Sequence, residues 1–134
     1  DAIVDIATLT GAALVALGEG IAPVLGTSQP LVDQLIERSD ATDEPIWQLP
    51  LASKRYRKLL DSVVADMKNI GGPYGGTMTA SIFLSEFVGD IPWAHLDIAG
   101  PMMVAADEGI YAKGATGFGT RLLIDLASNF TPPQ

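Results

Sequence analysis

The stretch Asp5-Ile6-Ala7-Thr8-Leu9-Thr10-Gly11-Ala12 joins two kinds of pattern within a few residues. An apolar, β-prone run over residues 2–7 ends in Thr-Leu-Thr-Gly, and a helix-like pattern begins at Ala12. A buried strand that leads directly into a helix is typical of open α/β sheets, in which ligands bind at the carboxyl ends of the strands. Because the run is apolar on both faces, we predict a central strand whose end forms one side of a site.

A second stretch far downstream has the same character. It reads Trp93-Ala94-His95-Leu96-Asp97-Ile98-Ala99-Gly100, and it shares the tripeptide Asp-Ile-Ala with the first stretch. Both are apolar runs that end in small or hydroxylated residues. We therefore predict that the two strands lie in one sheet and present their carboxyl ends to one site.

Helical patterns alternate with buried strands along the rest of the chain, which predicts the α/β class. The expected architecture is a layered α/β/α domain around a mixed, mostly parallel sheet. Residues 21–25 read as a further strand, and Pro23 is expected to lie at an edge or at an irregularity because proline cannot donate a ladder hydrogen bond. A short helix over residues 12–17 is expected to end at Gly18, where glycine permits a left-handed cap.

Four longer helices are predicted, beginning near Ser28, at Leu51, at Thr77 or Thr79, and with residues 116–119. The second is expected to run to Met67, and either threonine can cap the third. Residues 40–45 read as a polar, acidic loop. The apolar stripes that face the core are expected at Leu31, Val32, Leu35 and Ile36; at Tyr56, Leu59, Leu60, Val63 and Val64; at Ile82, Phe83, Phe87 and Val88; and at Phe118, Leu122, Leu123 and Leu126.

Composition limits the classes of function. The chain has 134 residues, 48% hydrophobic and 18% charged, which suits one folded domain. Its net charge is −8, and the one basic cluster (Lys54, Arg55, Arg57 and Lys58) is expected to be a solvated helix face, so a nucleic-acid platform is disfavoured. Only 13 uncharged residues separate Asp5 from Glu19, too few for a membrane span of roughly 20 residues. The absence of cysteine fits a cytoplasmic location.

A metal site is one reading of the acidic residues and the single histidine. Four side chains could cluster in space: Asp5, Asp66, His95 and Asp97. Their spacing matches no metal-binding motif. We expect the strand aspartates to accept backbone donors near a strand end, and the histidine to be a core residue with a satisfied ring.

The sequence also offers candidates for a serine nucleophile and for a phosphate-binding loop. Several serines are present, but there is no Gly-x-Ser-x-Gly elbow, so a Ser-His-Asp triad is disfavoured. Residues 114–119 precede a helix and are rich in glycine, so their amides could hold a phosphate. They lack both common phosphate-loop orders, and a plain turn with a helix cap is favoured over a phosphate-binding module.

The chain resembles the C-terminal part of the catalytic domain of the leucyl aminopeptidase (cytosol aminopeptidase) family. The resemblance covers about Ala2 to Leu126. It rests on several ordered stretches: residues 5–12 with Ala16-Leu17-Gly18, Trp47-Gln48-Leu49-Pro50-Leu51, Ala65-Asp66-Met67-Lys68-Asn69, Thr79-Ala80 with Phe83-Leu84 and Phe87-Val88, residues 93–100, and Gly114-Ala115-Thr116-Gly117.

The resemblance implies a metallopeptidase, a hydrolase that removes N-terminal residues, often leucine, from peptides. Such enzymes use two divalent metals, zinc or manganese, whose bridging water attacks the peptide carbonyl. The family's ligand segments, its catalytic lysine and its arginine lie upstream of the part matched here and have no counterpart in this sequence. We therefore expect no catalytic residue and no bound metal in this chain. The family assembles as hexamers, and peptides are the implied partners.

What the resemblance carries over is a substrate-facing wall. Thr8, Leu9 and Gly11 match the loop whose backbone groups meet the reacting peptide bond. Ala99 and Met102 match walls of the pocket for the N-terminal side chain, and Ile70 matches residues near the next side chain. Burying a leucine side chain contributes about 1.5–3 kcal/mol, so an apolar wall of this kind predicts modest selectivity.

The expected organisation is a portion of that catalytic domain over residues 1–127, with a tail over residues 128–134. The sequence opens inside a strand pattern, which leads us to expect a piece of a longer protein. An alternative from a different class stays open: a non-catalytic α/β module that binds leucine-like ligands or associates with itself.

Overall fold

The structure, a computed structural model, describes residues 1–133. Two sheets and five α-helices are formed, with a short 3-10 helix after the third. In chain order the elements are β1 (Ile3–Ala7), α1 (Gly11–Leu17), β2 (Ala22–Gly26), α2 (Gln29–Thr42), β3 (Ile46–Gln48), α3 (Ser53–Tyr56), the 3-10 helix (Arg57–Leu60), α4 (Gly76–Ser85), β4 (Trp93–Asp97), β5 (Met103–Val104), β6 (Gly114–Ala115) and α5 (Thr120–Asn129).

The main sheet has the strand order β1-β4-β2-β3. β1 and β4 are adjacent and parallel, from the pair Ile3 and Trp93 to the pair Ala7 and Asp97. β4 and β2 run antiparallel, and β2 and β3 run parallel. The prediction of a mixed, mostly parallel sheet is therefore confirmed, and so is the prediction that the two opening stretches form neighbouring strands. β5 and β6 make a separate two-stranded pair.

Helices cover both faces of the main sheet. On one face, α2 and α5 bury a core against β2 and β4, built from residues such as Leu31, Leu35, Leu96 and Leu122. On the other face, α4 packs against β2, β4 and α1. The three-layer α/β/α arrangement is the expected one. No helix within residues 1–133 combines the length and the apolar character needed to cross a membrane.

One prediction about strand position is wrong, and another holds in only one of its two forms. β1 lies at the edge of the main sheet, with β4 as its one neighbour in the described chain. Its side chains are half-buried on both faces, and an apolar pattern of this kind says nothing about neighbours on both edges. The strand with Pro23 lies inside the sheet, between β4 and β3. It is tolerated there because pairing with β4 begins at Val24, so the proline nitrogen faces the side where the ladder has ended.

The long helix predicted from Leu51 to Met67 is also wrong. Helical structure ends at Leu60, and Val63 and Val64 are exposed. The side chain of Ser62 accepts hydrogen bonds from the amides of Val64 and Ala65, both at 3.2 Å. Such local bonds compete with helix hydrogen bonds, and β-branched valines add little helix propensity to oppose them.

Helix α4 differs from its prediction at both ends. Its N-cap is Gly75 in the left-handed conformation, with φ 63°, and neither threonine caps it. The buried side chains of α4 are Thr77, Thr79, Ser81 and Ile82, whereas Phe87 lies beyond the helix and is exposed.

Helix α5 follows its predicted stripe, with Phe118, Leu122 and Leu126 buried. It continues to Asn129, and the amide of Thr131 then donates to the side chain of Gln34 at 3.0 Å. The boundary between a domain at residues 1–127 and a tail at 128–134 stays a prediction.

Candidate functional site

The carboxyl ends of β1 and β4 lie side by side. The amide of Ile98, just after β4, donates to the carbonyl of Ala7 at 2.9 Å, so the two strands remain paired to their last residues. Residues 8–10 leave the sheet from β1, and residues 98–102 leave it from β4. The two loops therefore start from one point, as the sequence predicts.

The carboxylate of Asp97 joins these loops. The residue is fully buried. Its Oδ1 accepts hydrogen bonds from the backbone amides of Leu9 at 3.0 Å, Thr10 at 3.2 Å and Ala99 at 3.3 Å. Its Oδ2 accepts from the hydroxyl of Thr10 at 2.6 Å. The expectation that this aspartate takes backbone donors near a strand end is confirmed, and the carboxylate also fixes both loops.

Thr10 extends the same network into two helices. Its Oγ1 accepts a hydrogen bond from the amide of Ala13 at 3.1 Å, so Thr10 is the N-cap of α1. The same Oγ1 lies 3.0 Å from the Oγ1 of Thr77, in the first turn of α4. Because Thr10 gives its only hydroxyl proton to Asp97, Thr77 must be the donor in the second contact.

A cavity of about 500 Å³ opens beside residues 8–10. Leu9, Gly11 and Ile70 line it together with the α4 residues Thr79 and Phe83. This volume lies in the range of small-molecule pockets. One wall is the glycine-rich segment over residues 69–75, which packs closely on α4, since a Cβ at Gly71 would lie 2.8 Å from the Cγ2 of Thr79.

The structure brings together some of the predicted site residues and leaves others apart. Leu9, Gly11 and Ile70 share the cavity, and Ala99 is linked to Leu9 through Asp97. Thr8 is exposed next to the cavity wall and does not line it.

Met102 lies at the far end of the loop after β4 and does not line the cavity. Its amide donates to Ile98 at 3.1 Å, and its carbonyl accepts from Thr116 at 3.0 Å. Between them, Gly100 packs so closely on the end of α1 that a Cβ there would meet the carbonyl of Gly18 at 2.2 Å. The loop after β4 is thus fixed by contacts that exclude a side chain at residue 100.

Asp5 and His95 form a second polar group beneath α4. The Nδ1 of His95 lies 2.5 Å from the Oδ1 of Asp5, and the Nε1 of Trp93 donates to the Oδ2 of Asp5 at 2.6 Å. His95 is fully buried, and its Nε2 has no hydrogen-bond partner among the residues that the structure describes. The expectation of a core histidine with a satisfied ring is therefore met at one nitrogen only.

The described residues do not fit a metal centre. No group of three His, Cys, Asp or Glu side chains comes together within residues 1–133. The oxygens of Asp5 and Asp97 are directed at protein donors, and Asp66 is exposed on the segment before the glycine-rich loop.

The amides at the start of α5, which could have held a phosphate, bind a carboxylate of the protein instead. Glu44 is buried, and it accepts the amide of Gly119 at 3.0 Å and the amide of Leu122 at 2.7 Å. The phosphate-binding hypothesis is therefore wrong, because these amides already have an anionic acceptor. Sequence reasoning missed this role, since it placed Glu44 in a polar, acidic loop and its partners are 75 and 78 residues away.

The basic cluster is only partly a solvated face. Arg57 donates to Glu86 at 2.7 Å and to Asp61 at 3.1 Å. The hydrogen bond to Glu86 is the main cause of the raised pKa of Arg57. Lys54, Arg55 and Lys58 are exposed, as predicted.

Comparison with known proteins gives a consistent result. The model of the cytosol aminopeptidase family, catalytic domain, matches residues 1–124. A probable cytosol aminopeptidase of Rippkaea orientalis is 48% identical over 130 residues, which are 97% of this chain and 26% of that protein. A probable cytosol aminopeptidase of Aquifex aeolicus is 46% identical over 126 residues, or 93% of this chain and 26% of that protein.

Solved structures agree with the sequence comparison. The bottromycin maturation enzyme BotP superposes with a TM-score of 0.84 at 40% identity, over 93% of this chain and 28% of that one. It has also been solved in complex with Mn. A mutant of tomato leucine aminopeptidase gives a TM-score of 0.83 at 38% identity, over 92% of this chain and 23% of that one. The chain thus spans about a quarter of the length of the relatives it matches.

Proposed function

We propose, on the premise that this chain belongs to the cytosol aminopeptidase family, that it forms the substrate-facing wall of an aminopeptidase active site. The reaction is the removal of N-terminal residues, leucine among them, from peptides. The reacting groups are supplied by segments that the longer relatives carry and this chain does not. Thr8, Leu9 and Gly11 face the reacting peptide bond, Ala99 and Met102 face the N-terminal side chain, and Ile70 faces the next side chain.

One observation supports this proposal above the others. The Asp97 carboxylate holds the amides of Leu9 and Ala99 together, at the ends of two parallel strands and beside an open, largely apolar cavity. A wall of this kind can bind and orient a peptide. It contributes no general base and no nucleophile, because its carboxylate is buried under protein donors.

The chemistry at the reacting bond belongs, in this proposal, to the remainder of a longer polypeptide. Two divalent metals, manganese or zinc, would supply the attacking water there. The assembly would be a hexamer, and the location would be the cytoplasm, in keeping with the name of the relatives. This chain's share is to bind the peptide and to exclude water from the apolar cavity.

Activity of the 134-residue chain by itself is the first test. We expect no hydrolysis of leucine p-nitroanilide above the buffer rate, with either Mn²⁺ or Zn²⁺ added. The Rippkaea orientalis enzyme, assayed beside it under the same conditions, is the positive control. Metal-dependent turnover by the purified short chain would refute the division of labour proposed here.

A grafted enzyme tests the wall directly. In this grafted enzyme, the matching quarter of the Rippkaea orientalis aminopeptidase is replaced by this chain. We expect it to hydrolyse Leu-Leu and Leu-Gly. A grafted enzyme that assembles like its parent but cleaves neither dipeptide would contradict the proposal.

Ile70 offers a sharper comparison within the grafted enzyme. Ile70→Ala is expected to lower kcat/KM about tenfold for Leu-Leu and much less for Leu-Gly, because several buried methylene contacts, each worth about 0.8 kcal/mol, are lost only with the larger second residue. Ile124→Ala is the matched control, since Ile124 is 63% exposed on α5 and Ile70 is 71% exposed. Equal losses for both dipeptides would remove Ile70 from the wall.

A second candidate function is a non-catalytic module that binds leucine-like ligands. It is favoured by one observation, that the cavity of about 500 Å³ is lined entirely by residues of this chain. Determining the gene sequence upstream of Asp1 separates the two candidates. An open frame that encodes the metal-ligand segments supports the aminopeptidase wall, and a start codon at this point supports the module.

A further inference from the structure

Residues 8–10 carry a constraint that follows from planar peptide geometry. No peptide bond in the described chain is cis, and in a trans unit the N–H and C=O groups point in opposite directions. The amides of Leu9 and Thr10 both point at the Oδ1 of Asp97. The carbonyls of the same two peptide units, which belong to Thr8 and Leu9, must therefore point away from Asp97.

These two carbonyls are free to accept a ligand's hydrogen bonds. Within residues 1–133, no backbone amide or side chain donates to either of them. Thr8 is exposed, and Leu9 is 39% exposed and lines the cavity. A pair of outward carbonyl acceptors suits the N–H groups of a peptide.

The carboxylate of Asp97 is held firmly enough to set the direction of the Thr8 and Leu9 carbonyls. It is buried, its acceptors are filled by three amides and one hydroxyl, and the hydroxyl is itself fixed by Thr77 and by the cap of α1. Charge-assisted bonds of this kind are stronger than neutral ones. The direction of the Thr8 and Leu9 carbonyls is thus tied to β4, α1 and α4 together.

We infer that Asp97 is a positioning residue for peptide binding, which turns the Thr8 and Leu9 carbonyls outward to accept N–H groups of the substrate backbone. The inference rests on the proposed function for its substrate. It adds a residue that contacts no substrate and acts through the loop, and it commits to backbone N–H donors as the groups recognised.

An amide and an ester substrate separate positioning from general stability. An ester of the same leucyl acid keeps its N-terminal amine but has no N–H at the scissile position, so it lacks one of the donors that these carbonyls would accept. In the grafted enzyme, Asp97→Ala is expected to lower kcat/KM about tenfold for Leu-Gly and less than threefold for the matching ester, which is the effect of losing one good hydrogen bond. Rates are referred to the folded fraction.

Asp5→Asn is the matched control. It changes another strand aspartate on the same face of the sheet, one that binds His95 and Trp93 and does not touch residues 8–10. It is expected to leave the amide-to-ester ratio within twofold of the parent, and Asp97→Asn, which keeps an acceptor oxygen for the amides, is expected to fall between the parent and Asp97→Ala. Equal losses on amide and ester for Asp97→Ala overturn the inference.

A measurement on the 134-residue chain stands apart from activity. Hydrogen exchange by NMR is expected to show that Asp97→Asn, and more so Asp97→Ala, speeds exchange at Leu9, Thr10 and Ala99 at least tenfold. The amide of Ile98, which donates to Ala7, keeps its protection. Unchanged protection at Leu9 and Thr10 overturns the positioning role even if the grafted enzyme is inactive, and inactivity of the parent graft alone counts against the proposed function instead.

Discussion

Asp97 and Glu44 are two buried carboxylates that use the same chemistry in different places. Each accepts backbone amides from a part of the chain far away in sequence. Glu44 receives the amides of Gly119 and Leu122 at the start of α5. Asp97 receives amides from the two loops that leave the carboxyl ends of β1 and β4. Both satisfy buried donors that would otherwise be costly.

The difference lies in the carbonyls on the other side of those peptide units. The amide of Leu122 shares its peptide unit with the carbonyl of Arg121, which lies within α5 and points along the helix toward the next turn, so capping of this amide by Glu44 leads only to stability. In the loop after β1 the carbonyls of Thr8 and Leu9 accept no hydrogen bond from residues 1–133 and point away from Asp97. A buried carboxylate under a helix start is thus a structural cap, whereas the same group under a loop can organise a binding surface.

The largest effect is expected for Asp97→Ala in the 134-residue chain. We expect its free energy of unfolding to fall by about 3–5 kcal/mol, because several buried donors lose an ionised acceptor at once. Urea unfolding monitored by the fluorescence of the buried Trp93 measures this. Asp97→Asn, which keeps one oxygen for the amides, should cost about 1–2 kcal/mol. A cost below about 1 kcal/mol for the alanine variant would mean that residues 8–10 are held by other contacts.

Glu44→Ala should follow, with a loss of about 2–3 kcal/mol, because two amides at the start of α5 lose their acceptor. The same urea titration applies, and hydrogen exchange locates the change. Exchange should speed up at Gly119 and Leu122 and stay unchanged at Leu9 and Thr10. Faster exchange at the second pair would show that the two carboxylates are coupled and would break the comparison.

Much of the fold could be predicted because it depends on local periodicity. The strand Trp93–Asp97, the helix Gly11–Leu17 with its cap at Gly18, and the stripe of α5 are encoded in neighbouring residues. The helix prediction for residues 51–67 is wrong because this segment carries two opposing local signals. Its apolar period favours a helix, whereas the turn at Ser62 ends one.

Strand position and the buried carboxylates show where sequence reasoning stops. The apolar pattern of β1 is encoded in neighbouring residues, but its edge position depends on which strands pair. Asp97 was expected to take backbone donors, yet its partners Leu9 and Thr10 are 88 and 87 residues away. Glu44 carried no signal at all, because an acidic residue beside a turn usually stays in water.

Thr10→Val tests the hydroxyl that links Asp97 to the helices. The loss should be about 1–2 kcal/mol, because the variant removes the cap of α1 and the contacts to Asp97 and Thr77 while keeping the shape. Thr10→Ser retains the hydroxyl and should lose under about 1 kcal/mol. If the serine variant is as unstable as the valine variant, the methyl group's packing matters more than the network.

Arg121→Gln should have the smallest effect and decides what kind of site Glu44 is. The Nε of Arg121 lies 3.6 Å from the Oε1 of Glu44, and the arginine side chain is 41% exposed and also donates to Tyr111. An ion pair with this separation and this solvent exposure contributes about 0.5 kcal/mol to the free energy of unfolding. Urea titration of Arg121→Gln beside Arg121→Lys should therefore show two small and similar losses. A loss as large as that of Glu44→Ala, recovered by lysine, would make Glu44 one half of an ion pair, and the parallel with Asp97, whose partners are amides and a hydroxyl, would no longer hold.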